Sequence, residues 1–177
     1  VYKRQEIIKP DLIAVSNANR GIFPPPPEIT YILPTSEKEQ QMWRFTFEKP
    51  SDDWFKPDFD DSKWHTGAGG FGTKGTPGTV VRTVWNTSDI WLRKEFFLNE
   101  INTKDIYLMI HHDEDAEVYI NGIIATRLQG HTIRYIDEDL TDESKNSLKK
   151  GKNVIAIHCH QTAGGQYIDA GIARIRR

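Results

Sequence analysis

Apolar and polar residues alternate along most of this chain with a period of two. From residue 41 to 47, Trp43, Phe45 and Phe47 fall on one face and Met42, Arg44 and Thr46 on the other. That alternation predicts a half-buried strand, because successive side chains of extended backbone point to opposite faces. The same pattern predicts strands at 89–98, at 105–112, where Ile106, Leu108 and Ile110 share a face, and at 116–120. In 90–97, Trp91, Arg93, Glu95 and Phe97 oppose Ile90, Leu92 and Phe96, so both faces are expected to be partly covered. The strand at 116–120 runs into Asn121-Gly122, the pair best suited to positive φ at both positions of a two-residue hairpin turn. Residues 123–128 return as its partner, and further strands are expected at 132–136, 153–161 and 167–174.

One helix is expected after Thr141, whose side chain suits the N-cap. Asp142 and Glu143 suit its first turn, Lys149 and Lys150 its last, and Gly151 a left-handed stop. Short strands separated by turn signals predict an all-β, antiparallel β-sandwich with one short helix. A parallel sheet would need several crossover helices. Residues 1–30 read differently. The run Pro24-Pro25-Pro26-Pro27 predicts a semi-rigid polyproline II spacer. We therefore expect an upstream-domain remnant and linker at 1–30 and the sandwich at 31–177. The chain opens at Val1 without a Met, which reads as a piece of something longer.

Composition narrows the function. A length of 177 residues suits one domain. A formal net charge of -2 excludes a strongly basic nucleic-acid footprint. No stretch approaches the roughly 20 apolar residues of a membrane span. Cys159 is the single cysteine, so an internal disulfide is impossible and the compartment cannot be read from it.

Several clusters invite chemistry. Gly67, Gly69, Gly70, Gly72, Gly75 and Gly78 crowd together, and the first, second and fourth have the spacing of a dinucleotide-binding loop. That loop needs a helix behind it, and Pro77-Gly78 forbids one. A long surface loop is the expectation, with Lys74 and Arg82 projecting from it. His158 and His160 share a strand face about 7 Å apart. With His112 or Asp113 opposite they resemble a zinc set, although backbone-bonding histidines at a sheet end are commoner, and no metal is assigned. Cys159, on the other face with Ile155 and Ile157, reads as a buried small hydrophobe. The acidic turns Asp52-Asp53, Asp60-Asp61 and Asp113-Glu114-Asp115 lack the spacing of a dedicated calcium loop. No carboxylate pair sits on a barrel and no nucleophile elbow occurs, so no catalytic residue is expected. Asn86-Thr87-Ser88 is a glycosylation sequon, relevant only in a eukaryotic secretory setting.

Five segments in order carry a resemblance. They are 59–64 (Phe-Asp-Asp-Ser-Lys-Trp), Gly70-Phe71-Gly72, 90–96 (Ile-Trp-Leu-Arg-Lys-Glu-Phe), 113–122 (Asp-Glu-Asp-Ala-Glu-Val-Tyr-Ile-Asn-Gly) and 151–158 (Gly-Lys-Asn-Val-Ile-Ala-Ile-His). Together they resemble the sugar-binding jelly-roll domain of family 2 glycoside hydrolases, the β-galactosidase and β-glucuronidase family, over roughly residues 40–175. The resemblance implies a galactose-binding-like jelly roll and a carbohydrate ligand. It implies a catalytic barrel in the same chain and a secreted or periplasmic parent. It also raises a structural Ca²⁺, which domains of this fold often hold, but no cofactor is assigned. Tyr2, Arg4, Pro10-Asp11 and residues 17–19 resemble the segment that trails the barrel in some of these enzymes, which places this domain after it.

A sugar site needs an aromatic platform and planar hydrogen-bonding groups. The candidates are Arg82, Trp85, His112, Asp113, His160, Gln161 and Tyr167. The bland alternative has Trp85 packing the loop down and Tyr167 and Asp169 anchoring the last strand. The domain is then expected to be a non-catalytic, carbohydrate-binding accessory module. The alternative is a packing or oligomerisation module without a ligand.

Overall fold

The computed structural model describes residues 25–177. The barrel-trailing likeness at 2–19 and Pro24 lie outside the described residues. In chain order the strands are β1 (Glu28–Leu33), β2 (Met42–Thr46), β3 (His65–Ala68), β4 (Phe71–Gly72), β5 (Thr83–Val84) and β6 (Asp89–Leu98). They continue with β7 (Ile106–Asp113), β8 (Asp115–Ile120), β9 (Ile123–Leu128), β10 (Ile136–Asp139), β11 (Gly151–His160) and β12 (Tyr167–Arg176). The helix α1 (Asp142–Ser147) lies between β10 and β11.

The strands form two six-stranded sheets. The first runs β10-β7-β12-β4-β5, with β1 also paired to β12. The second runs β3-β2-β6-β11-β8-β9. The pairs are antiparallel except β4 with β5, which are parallel. Their inner faces share one core, as alternation predicts. Ile106, Leu108 and Ile110 of β7 meet Ile90 and Leu92 of β6 and Ile155, Ile157 and Cys159 of β11. The Asn121-Gly122 hairpin turn has the expected positive φ, 49° and 85°.

Both sheets are also covered on parts of their outer faces, and each cover hangs on one charged side chain. On the second sheet, Trp54, Phe55, Phe59 and Trp64 pack over Trp91, Ala156 and Tyr119. The buried Arg93 organises this layer. It bonds Asp61 Oδ2 at 2.9 Å and donates to the carbonyls of Trp54 at 2.5 Å and Lys56 at 3.0 Å. Its guanidinium lies 5.2 Å from the centre of the Phe59 ring. On the first sheet, Asp169 accepts from Ser36 N at 2.6 Å, Gly70 N at 3.1 Å and the Tyr135 hydroxyl at 2.6 Å. Burial raises its carboxyl pKa against the pull of those bonds.

Three expectations are corrected. The glycine-rich segment is no simple surface loop: residues 69–72 are buried and contribute β4. Its glycines are needed for close approach. A Cβ on Gly72 would sit 2.1 Å from the Gln166 carbonyl oxygen. The helix ends at Ser147 rather than at Gly151. Asn153 explains the early stop, because its amide donates to Lys149 O at 2.7 Å and its oxygen accepts from Lys149 N at 3.0 Å. That pulls the chain into a turn, and Gly151, at φ 90°, opens β11 instead. Residues 132–135 form no strand of the ladder. Thr132 bonds His112 O through its N–H at 2.9 Å, and its own carbonyl meets His111 Nε2 at 3.0 Å. Pairing with β7 begins at Ile136.

Two stability outcomes follow. Gly72→Ala is expected to lose about 1–3 kcal/mol through forced overpacking. Arg93→Met is expected to lose about 2–3 kcal/mol, the cost of removing a charged donor from buried carbonyls. Urea unfolding measures both, and limited proteolysis should open residues 50–62 first in the Arg93 variant.

Candidate functional site

Strand register assembles a polar corner on the outer face of the second sheet. β11 pairs with β6 so that His158 stands opposite Trp91 and His160 opposite Asp89. On its other side β11 pairs with β8, setting His158 opposite Glu117 and His160 opposite Asp115. β9 then sets Arg127 opposite Glu117. Cross-strand neighbours on one face are in reach of each other. Two adjacent rungs result, Trp91–His158–Glu117–Arg127 and Asp89–His160–Asp115.

The side chains are joined along and between these rungs. Asp89 Oδ1 bonds His158 Nε2 at 2.8 Å and His160 Nδ1 at 2.9 Å. The His158 ring stacks on the Trp91 indole, with centroids 4.7 Å apart and planes 7° off parallel. Arg127 Nε donates to Glu117 Oε1 at 2.8 Å, and the Tyr119 hydroxyl to Glu117 Oε2 at 3.0 Å. Burial pushes the Asp89 and Glu117 carboxyls up. The hydrogen bonds and charges of the two histidines outweigh this at Asp89, and those of Arg127 and Tyr119 do so at Glu117, leaving both pKa values lowered. A shallow hollow of about 240 Å³ lies over the rungs, lined by Asp115, Glu117, Arg127, Gln129, His158 and His160.

The start of β6 is fixed locally. Thr87 Oγ1 donates to Asp89 O at 2.9 Å, and Trp85 Nε1 donates to the same carbonyl at 3.2 Å. Trp85 is therefore a core residue, 0% exposed, and is corrected as a sugar platform. Its indole is large and apolar, and its one donor finds a partner inside. Tyr167 is also 0% exposed and corrected in the same way. Its hydroxyl lies 3.3 Å from that of Tyr135, and burial together with the Asp169 charge raises its pKa to about 12. These two residues follow the bland alternative. His112 is buried, with Nδ1 2.6 Å from Glu114 O, so it cannot face an external ligand. Asp113 is buried as well, and its carboxyl is raised by that burial. Arg82 is half-buried and donates to Lys38 O at 3.3 Å. Gln161 is half-buried, with its amide on Gly165 O and its N–H on Ser88 O at 2.7 Å. Of the seven candidates, His160 alone enters the polar corner.

The zinc set that His158 and His160 could have formed with His112 or Asp113 does not assemble. His158 and His160 meet on Asp89, while His112 is held in the interior by Glu114 O. Among the described residues no group of three or more His, Cys, Asp or Glu is placed to hold a metal ion. Asp60 caps its own turn by accepting from Ser62 N at 2.9 Å, whereas Asp61 is taken by Arg93. Sequence reasoning passed over Asp89, Glu117 and Arg127. The alternation of His158 and His160 was readable, but their partner across the ladder was not.

A two-sheet sandwich of this kind also occurs as one domain within larger enzymes. A glycosyl hydrolase family 2 member from Bacteroides cellulosilyticus DSM 14838 matches with TM-score 0.55 and 17% identity, over 81% of this chain and 20% of its own. A β-glucuronidase from Bacteroides uniformis matches with TM-score 0.53 and 17% identity, over 80% and 18%. A Bifidobacterium dentium β-glucuronidase matches with TM-score 0.51 and 11% identity, over 80% and 22%. The chain thus spans about a fifth of the length of these hydrolases. No family model and no curated protein matches it. The resemblance to family 2 glycoside hydrolases read from the sequence holds for the fold. Among the described residues no helix is long and apolar enough to cross a membrane.

The Asp89 linkage gives a pH test. Its bonds to the two histidines hold its folded pKa below the ordinary aspartate value of 3.8, so its pairing stabilises the fold above that value. The contribution is lost as pH falls through the folded pKa. Asp89→Asn is expected to lower stability at neutral pH by about 1 kcal/mol. The gap to the parent should close in acid, as followed by unfolding from neutral pH to below pH 3.8.

Proposed function

We propose that this chain is a non-catalytic accessory domain of a multidomain glycoside hydrolase, and that it binds carbohydrate to hold substrate near the catalytic barrel of the same protein. The observation that carries this reading is the coverage. The fold likeness takes in four-fifths of this chain and about a fifth of each hydrolase it matches. A galactose-binding-like role fits that position, in a secreted or periplasmic parent of β-galactosidase or β-glucuronidase type. The polar corner supports binding rather than hydrolysis. Its best-held carboxylates, Asp89 and Glu117, are each engaged by two donors within the fold, so neither is a free acid or nucleophile.

One observation favours a packing module instead. Ile29, Tyr31, Phe97 and Ile101 are each more than two-fifths exposed, and Tyr31 and Phe97 line the same hollow. Exposed apolar groups so placed suit burial by another domain or subunit.

Calorimetric titration of the chain with a panel of oligosaccharides separates the two. Saturable binding, with unaltered sedimentation as a monomer, is the expected result. Silence towards every glycan, together with stable self-association or tight binding to the catalytic domain alone, would replace the first reading with the second.

A further inference from the structure

The hollow across β11, β8 and β9 is lined by side chains already tied in place. Asp89 holds both imidazoles, Trp91 backs the ring of His158, and Glu117 holds Arg127. What each group has left over defines the ligand. Arg127 spends Nε on Glu117, which leaves both terminal nitrogens to donate. His158 is held through Nε2 and His160 through Nδ1, so each keeps its other ring nitrogen. Asp115 accepts from Gly130 N at 2.8 Å through Oδ1, and its Oδ2 has no partner among the described residues. The result is a mixed set of donors and acceptors on one face. A sugar hydroxyl both donates and accepts, and vicinal hydroxyls match such a set.

Charge and shape narrow the class. Among the side chains that line the hollow, the carboxylates Asp115 and Glu117 outnumber the Arg127 guanidinium by two to one. A ligand carboxylate would meet net repulsion there. The His158 imidazole that lines the hollow is held by its stack on Trp91 of β6 and has Glu117 opposite it on β8. A volume of about 240 Å³ falls below the ~300–1,000 Å³ of larger ligand pockets, which suits a single ring.

We infer that this hollow binds one uncharged sugar ring, the terminal residue of a neutral oligosaccharide, and discriminates against uronic acids. The inference rests on the carbohydrate-binding reading above and adds the place and the ligand class.

Amide-shift mapping with lactose, cellobiose and a disaccharide ending in glucuronic acid tests it. Neutral disaccharides are expected to move residues 115–117, 127–129 and 158–160. Arg127→Ala and His158→Ala are each expected to weaken that binding about tenfold, equivalent to about 1.4 kcal/mol. The glucuronic-acid disaccharide should bind at least about tenfold more weakly than its neutral counterpart. Thermal unfolding checks that the variants fold. Arg127 is largely solvent-exposed, so its variant should keep the parent midpoint. Unchanged affinity in both variants, shifts mapping elsewhere, or preference for the uronic acid would overturn this inference and leave the carbohydrate reading standing. Silence towards these sugars and towards a broad glycan array would overturn both.

Discussion

Everything in this molecule depends on the register of β11. It pairs over ten residues with β6 and over six with β8. Because side chains alternate, the register sends Ile155, Ile157 and Cys159 into the core and Ala156, His158 and His160 to the outer face. A slip of one residue would exchange those sets and lose both the core and the polar corner. Polar groups pin the register at its start. Val154 N donates to Asn121 Oδ1 at 2.9 Å, and Asn121 Nδ2 donates to Asn153 Oδ1 at 2.8 Å. The tight hairpin turn, the end of α1 and the first residues of β11 are thereby tied to one another, so a shift in any of them disturbs the others.

The outer faces follow from the inner ones. Once β6 buries Ile90 and Leu92, Trp91 and Arg93 must face outward. An indole and a guanidinium there need covering, and residues 54–64 supply aromatic rings and carbonyl oxygens. The first sheet solves a similar problem with Asp169, whose three donors come from three separate segments. These buried charges do not stabilise by their attraction alone, since desolvation offsets much of it. Their effect is to fix where each covering segment lies, and so where cover stops and the Asp89–Arg127 corner stays open.

This explains what the sequence could and could not reveal. Alternation is local, so β2, β6, β7, β8 and β9 were legible, and the Asn121-Gly122 turn was legible from two residues. The short strands β3, β4 and β5 were not. They lie in a segment where Gly72 comes close to the Gln166 carbonyl and Gly78 to that of Ile133, needs created by residues far along the chain. Trp85 and Tyr167 look alike as core or as platform, because the same large apolar ring suits either, and only burial separates the roles. Asp89 pairs with His160 across about seventy residues of sequence, and nothing local to either announces the other.

The exposed half of the polar corner is hard to explain by stability. Arg127 and Glu117 pair at the surface, with 61% and 38% of their side chains exposed, where an ion pair contributes little. His160 is nearly half exposed as it meets Asp89. Yet the rings and carboxylates are held by stacking and shared acceptors across four strands. Such order lowers the entropy that a ligand must overcome to bind, because the groups it meets are already positioned. A rigid strand ladder also holds its side chains more firmly than a loop does. The physical case for a binding site therefore lies less in the chemistry of any one residue than in how little each of them would have to move.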